Sequence, residues 1–185
     1  MNNPKKGQII NALENKTWFN GRAWLIVGTG DSLKRWQPKF IDMFNIWTIN
    51  AAIDVTRYAD IAAMHDTAIF CHRDKYIKNK FDAKHILTRT QNHHSGDEKT
   101  LYVQFPNDPK LFDIQHETTC SSGFAFQFLC PRFHRIYTLG IDGGKGVSNL
   151  LHPFYQSQES GQNFDDHHQS MDYHVSVNNN DIIKL

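Results

Sequence analysis

Apolar positions along this chain come in short unbroken runs, each followed by a stretch with helical spacing. The first clear run, Trp24-Leu25-Ile26-Val27, leads straight into Gly28-Thr29-Gly30. A run of this length bounded by glycine predicts a strand covered on both faces. A helix is expected next over Leu33 to Phe44, with Trp36, Phe40 and Phe44 on one side and a late start or kink at Pro38. Asn45 to Asn50 (NIWTIN) predicts the second strand, Ala51 to Tyr58 a helix, and Asp60 to Met64 (DIAAM) a third strand ending at His65-Asp66-Thr67. Ala68 to Lys80 reads as another helix. His85 to Thr88 and Leu101 to Phe105 read as strands, with the polar stretch Gln91 to Lys99 as an exposed loop between them and a turn at Pro106 to Pro109. Near the N-terminus, Ile9, Ile10 and Leu13 mark a short amphipathic helix over Pro4 to Lys16, and Asn20-Gly21 the turn into the first strand.

The pattern is clear again from Thr118. Thr-Thr-Cys-Ser-Ser-Gly opens a helix from Ser122 to about Cys130, Pro131 stops it, and Arg135 to Leu139 (RIYTL) is a buried strand ending in Gly140-Ile141-Asp142. Gly143 to Asn180 is rich in Gly, Ser, Asn, Gln and His, with little periodicity and one short strand expected at Tyr173 to Val177. It reads as loops able to fold over a site. Strands alternating with helices predict an α/β, Rossmann-like three-layer fold with a mostly parallel sheet and a loop-rich C-terminal lid. No repeat or composition shift divides the chain, so residues 1–185 are expected to form one domain.

Composition narrows the classes. Hydrophobic residues make up 39% and aromatics 12%, which fits a packed core and not a disordered chain. A formal net charge of +1 gives no global field toward nucleic acid or acidic membrane. No apolar run reaches the ~20 residues of a membrane span, and Met-Asn-Asn-Pro-Lys-Lys lacks a signal-peptide core. Cys71, Cys120 and Cys130 have no metal-ligand spacing, and their odd number argues against a full disulfide framework. A reducing, cytoplasmic setting is the expectation.

In such folds ligands bind beyond the carboxyl ends of the strands. Polar residues gather at those ends: Gly28, Thr29, Gly30 and Ser32, then Asn50, then Asp66, then Asp142. Ser122 and Gly123 open the helix before the last strand. Glycines let a backbone approach a ligand closely, and a helix start favours an anion, so the group suits a nucleotide phosphate. The Rossmann fingerprint is incomplete, because Leu33 stands near the third glycine, and no Gly-Lys-Ser/Thr of a Walker loop follows. Asp66 and Asp142 can each hold a ribose hydroxyl, a Mg²⁺ ion or a substrate base. His167, His168 and His174 lie in the C-terminal segment. Their spacing fits no zinc motif, and no metal ligand is assigned.

Assembled, these residues resemble a known superfamily. Gly28-Thr29-Gly30-Asp31-Ser32-Leu33 resembles the Gly-x-Gly-Pro-Ser-Leu loop of bacterial CMP-sialic-acid-dependent sialyltransferases and of the related archaeal 6-hydroxymethyl-dihydropterin pyrophosphokinases. Asn50 is similar to their nucleotide-binding asparagine, and the sialyltransferases place a histidine general base in the C-terminal segment, which makes His174 or His168 the candidate here. Ser121-Ser122-Gly123 and Ile136-Tyr137-Thr138-Leu139-Gly140-Ile141-Asp142 resemble their Thr-Ser-Gly helix start and Ile-Tyr-Leu-x-Gly-x-Asp strand. Asp31 replaces the usual proline, the chain is short for a sialyltransferase, and Asp60-Ile61 with His65-Asp66 is closer to the pyrophosphokinase branch. The resemblance implies a nucleotide-sugar-dependent glycosyltransferase: a CMP- or other NDP-sugar donor, an unidentified acceptor hydroxyl, no required cofactor, and room for a homo-oligomer. The alternatives are an ATP/Mg²⁺-dependent pyrophosphokinase-like phosphotransferase, with Mg²⁺ on Asp66 and Asp142, and a nucleotide-binding module without catalysis.

Overall fold

The computed structural model describes residues 21–64, 72–88, 100–102, 121–142, 146–159 and 165–185. The expected helix over Pro4–Lys16, the pair His65-Asp66, the loop Gln91–Lys99 and the turn Pro106–Pro109 lie outside them. Seven strands form one sheet: β1 Trp24–Val27, β2 Asn45–Ile49, β3 Tyr58–Ala63, β4 Asp82–Thr88, β5 Thr100–Tyr102, β6 Arg135–Leu139 and β7 Asp181–Lys184. Their order is β5-β4-β3-β2-β1-β6-β7, and every pairing among them is parallel. The chain steps outward from β1 to β5, returns, and steps outward again on the other side. Strand order therefore reverses between β1 and β6, the place where doubly wound sheets open a crevice. The α/β, three-layer expectation is met.

Alternation along β1 splits the core. Leu25 and Val27 enter one apolar cluster with Ile46, Leu139, Leu151 and Tyr155; Trp24 and Ile26 enter the other with Trp47, Phe126, Leu129 and Met171. The first face is covered by short pieces: α1 (Phe40–Met43), α2 (Ile53–Thr56), α3 (Arg73–Tyr76), and the 3-10 turns Asp31–Arg35 and Asn50–Ala52. The second carries two longer helices, α4 (Ser121–Leu129) and, after α5 (Pro153–Glu159), α6 (Asp165–Asn178). The helix expected over Leu33–Phe44 is thus a 3-10 turn and a separate four-residue helix. Pro38, which lacks an N–H to donate, lies in the gap between them.

Sequence and structure differ most after Asp142. The described residues there include two helices, both anchored in the core. Tyr155 of α5 is 1% exposed beneath the first face, and Met171 of α6 is 8% exposed beneath the second. Tyr173–Val177 is helix rather than strand; the strand is Asp181–Lys184, paired with β6 from Arg135↔Asp181 to Thr138↔Lys184. Among the described residues, no helix is long and apolar enough to cross a membrane.

At the amino edge, Asp60 of β3 is buried and serves the sheet. One carboxylate oxygen accepts the Ile46 N–H (2.8 Å), and the other accepts Lys84 Nζ (2.6 Å) and the Tyr58 hydroxyl (3.1 Å). The first bond replaces a ladder acceptor at the start of β2, and Lys84 compensates the charge. Asp54 does a similar job for the turn before β4, accepting the N–H groups of Lys78 and Asn79.

Candidate site at the β1–β6 reversal

Beyond Val27 and Leu139 the two central strands continue side by side as glycine-bearing backbone. Gly28 N–H donates to the Leu139 carbonyl (2.7 Å) and Gly30 N–H to the Gly140 carbonyl (2.8 Å). A methyl group on Gly28 would lie 2.4 Å from the Gly140 oxygen, and one on Gly140, whose φ is +68°, would lie 2.3 Å from the Gly28 oxygen. Only two glycines can cross this closely. Sequence reading assigned these glycines to close approach of a phosphate. Their immediate neighbour is instead the other strand's backbone, and the amides of Gly28 and Gly30 are committed to it.

Ser32 ties the crossing together. Its N–H donates to Asp142 Oδ2 (2.6 Å), its hydroxyl donates to Asp142 Oδ1 (2.6 Å), and its oxygen accepts the Gly140 N–H (2.8 Å). The residue preceding the Asp31–Arg35 turn is Gly30, which has no side chain to cap it. Asp142, from a strand far along the sequence, supplies that cap. A methyl group on Gly30 would meet its carboxylate at 2.6 Å. Asp142 is half-buried, and no cation pairs with it among the described residues.

Thr29 faces the other way. Its carbonyl accepts the Ser148 N–H (2.8 Å), and Gly30 forms an antiparallel bridge with Val147. A strap of Gly146–Ser148 thereby lies along the loop, with Ser148 fully buried, and leads to His152, whose Nδ1 accepts the Phe154 N–H at the start of α5 (3.1 Å). Sequence reading missed this strap, for its residues carry no pattern that a solvated loop would not. On the opposite side, the register Val27↔Thr48 puts Thr29 level with Asn50, which adopts the left-handed conformation (φ 49°) as it leaves β2. The amino end of α4, with Ser122 half-buried and Gly123 buried, stands at this same carboxyl edge, because α4 runs back toward the start of β6 and packs Phe128 against Trp47 of β2.

Gly28, Thr29, Gly30, Ser32, Asn50, Ser122, Gly123 and Asp142 thus share the carboxyl edge around the reversal. Asp66 lies outside the described residues. His174 does not join them. It sits on α6, whose end at Asn178 leads into Asp181 beside Arg135 at the amino edge, so His174 is about 6 Å from that end. It is 8% exposed, and its Nε2 is buried without a hydrogen-bond partner among the described residues. Burial pushes its imidazole below the ordinary value. The backbone of His168 lies on the same helix, about 9 Å nearer the carboxyl edge. No three His, Cys, Asp or Glu side chains converge as a metal site among the described residues.

Comparison with protein-family models, curated proteins and solved structures finds no match for this chain.

Proposed function

We propose that the chain is a nucleotide-dependent transferase, with a nucleotide-sugar donor bound across the β1–β6 reversal and its sugar passed to an acceptor hydroxyl. The observation that carries this reading is convergence at one edge. Thr29, Asn50, Asp142 and the amino end of α4 come from four separate segments and lie at the edge where a doubly wound sheet opens its crevice. The resemblance of Gly28–Leu33 and Ile136–Asp142 to the sialyltransferase loops supports glycosyl transfer over other group transfers. In this reading the amino end of α4 takes the phosphate, for backbone N–H groups and the helix dipole favour an anion there. Gly28 and Gly30 act through the crossing, not by touching the donor. Buried His174 acts through packing, so the acceptor's proton goes to another group. The proposed setting is cytoplasmic, with an acceptor yet to be identified.

Thermal shift of the purified chain with CMP, UDP, GDP and ATP, each with and without Mg²⁺, tests this. A ligand at 100 times its Kd adds about 2.7 kcal/mol, a rise of several degrees for a chain of this size. CMP or UDP raising Tm without metal supports the transferase; ATP acting only with Mg²⁺ replaces it with the phosphotransferase reading. No response to any of the four removes the nucleotide site.

A further inference from the structure

We infer that Asp142 is the residue that reads the ribose of the nucleotide, gripping its hydroxyl pair with the carboxylate face that Ser32 leaves open. The inference rests on the nucleotide reading above and deepens it. A carboxylate has about four lone-pair positions, two on each oxygen. Ser32 uses one on each, through its N–H on Oδ2 and its hydroxyl on Oδ1. One acceptor position therefore remains on each oxygen, a spacing that suits two adjacent hydroxyl donors. The carboxylate is half-buried at the strand-order reversal and has no cation against it among the described residues. An uncompensated carboxylate repels phosphate but accepts strongly from a neutral O–H group. The same charge occupies the Ser32 amide, which an anion would otherwise use. The front of the Gly28–Ser32 loop is thus set for a polyol, and the nucleotide's phosphate must lie away from it.

The Ser32 contacts also make Asp142 rigid. Two bonds from one residue fix the plane of the carboxylate, and the Gly140 N–H fixes the hydroxyl that makes one of them. Gly30 completes the arrangement, because any side chain there would meet Oδ2 at 2.6 Å. A capping aspartate with no ligand role would serve equally well if it were turned fully inward.

The test uses the unaltered chain first. Isothermal titration with CMP, UMP, GMP and AMP is compared with their 2′-deoxy and 2′,3′-dideoxy counterparts, and with inorganic pyrophosphate. The ribonucleotide that binds is expected to lose about tenfold to a hundredfold in affinity as its 2′,3′-dideoxy form, the cost of giving up hydrogen bonds to a charged group. Pyrophosphate, which lacks the hydroxyl pair, should bind the unaltered chain and Asp142→Asn alike. In Asp142→Asn, with Tm and circular dichroism confirming the fold, ribo and dideoxy forms should bind alike. Equal binding of ribo and dideoxy forms to the unaltered chain overturns the inference and leaves the nucleotide site standing. Pyrophosphate binding that Asp142→Asn strengthens also overturns it, by placing phosphate on the loop beside the carboxylate. Failure of every nucleotide to bind removes the nucleotide reading itself.

Discussion

Two aspartates at opposite ends of the sheet accept a backbone amide from a neighbouring segment, and they differ in everything else. Asp60, at the amino edge, is buried and takes the Ile46 N–H, the Tyr58 hydroxyl and the Lys84 ammonium. Hydrogen bonding to Asp60 raises the Lys84 pKa above its ordinary value, as expected of an ammonium held by a carboxylate. Among the described residues, Asp142, at the carboxyl edge, takes the two Ser32 donors and no others, and it remains half-buried. A carboxylate with its charge compensated and its partners assigned is part of the frame. One with no cation against it among the described residues, at a strand-order reversal, is the one we propose for a ligand. Position along the strand thus separates two residues that sequence alone presents as alike.

The largest effect is expected from breaking the frame. Asp60→Ala leaves the buried Ile46 N–H without its acceptor and Lys84 without its partner. Loss of a buried charged hydrogen-bond acceptor costs about 2–3 kcal/mol once the half-exposure of Lys84 is allowed for. That corresponds to a Tm lower by roughly 5–10 °C, measured by differential scanning calorimetry at neutral pH. A drop of under ~1 °C would mean that Asp60 does not hold β2 to β3.

At the other edge the crossing backbones are the next point of failure. Gly28→Ala puts a methyl group against the Gly140 carbonyl, which cannot swing away, so the strands must part; about 1–3 kcal/mol is expected. Gly30→Ala meets the Gly140 carbonyl less closely, at 2.9 Å, and the end of the Asp142 side chain at 2.6 Å, so it should lower Tm less while disturbing Asp142 and ligand affinity more. Equal Tm losses in the two variants would count against this distinction. Both expectations revise a reading in which these glycines serve only the close approach of a phosphate.

That revision shows what the sequence could and could not carry. β1 was readable because it is an uninterrupted apolar run buried on both faces, and β2 and β6 to within a residue because β-branched and aromatic residues dominate NIWTI and RIYTL. The reversal edge followed from the alternation of elements. The job of Gly28 and Gly30 did not, because close approach to a phosphate and close approach to another strand demand the same absence of a side chain. Helix α6 stayed hidden for a different reason: its buried positions include His174 beside Met171, and a histidine reads as polar in any hydrophobic pattern. The 3-10 turn at Asp31–Arg35 could not be told from the start of a long helix, since its cap is Asp142, far away in sequence.

His174 itself gives a smaller effect, separable by pH. Burial holds its pKa in the folded chain below the ordinary value near 6.5. Above that value the group is neutral in both folded and unfolded chains and adds no pH dependence. As pH falls through 6.5 the unfolded chain takes up the proton first, so stability declines until the folded group also titrates. Cys130, on the segment that follows α4, is a titratable group buried in the cluster that Met171 of α6 enters; burial pushes its thiol up to about 12, so it stays neutral throughout. Comparing Tm between pH 7 and pH 5 for the unaltered chain and His174→Leu isolates the contribution. The variant should lose less stability on acidification. Parallel pH curves would show that His174 does not titrate across folding.

The smallest change in stability is expected at Asp142, and that smallness is what separates it from Asp60. Asp142→Asn keeps an oxygen able to accept from either Ser32 N–H or its hydroxyl, so one of the two bonds survives, while the amide places a donor near the other. Ser32 is half-buried, and a group released there can turn toward water, which limits the loss to about 1 kcal/mol. Gly28, Gly30 and Gly140 still hold the crossing through backbone bonds that do not involve the carboxylate. Tm should therefore fall by no more than roughly 2–4 °C. Nucleotide affinity should fall in the same variant. A Tm loss matching that of Asp60→Ala, with nucleotide affinity unchanged, would make the two aspartates equivalent and place both in the frame.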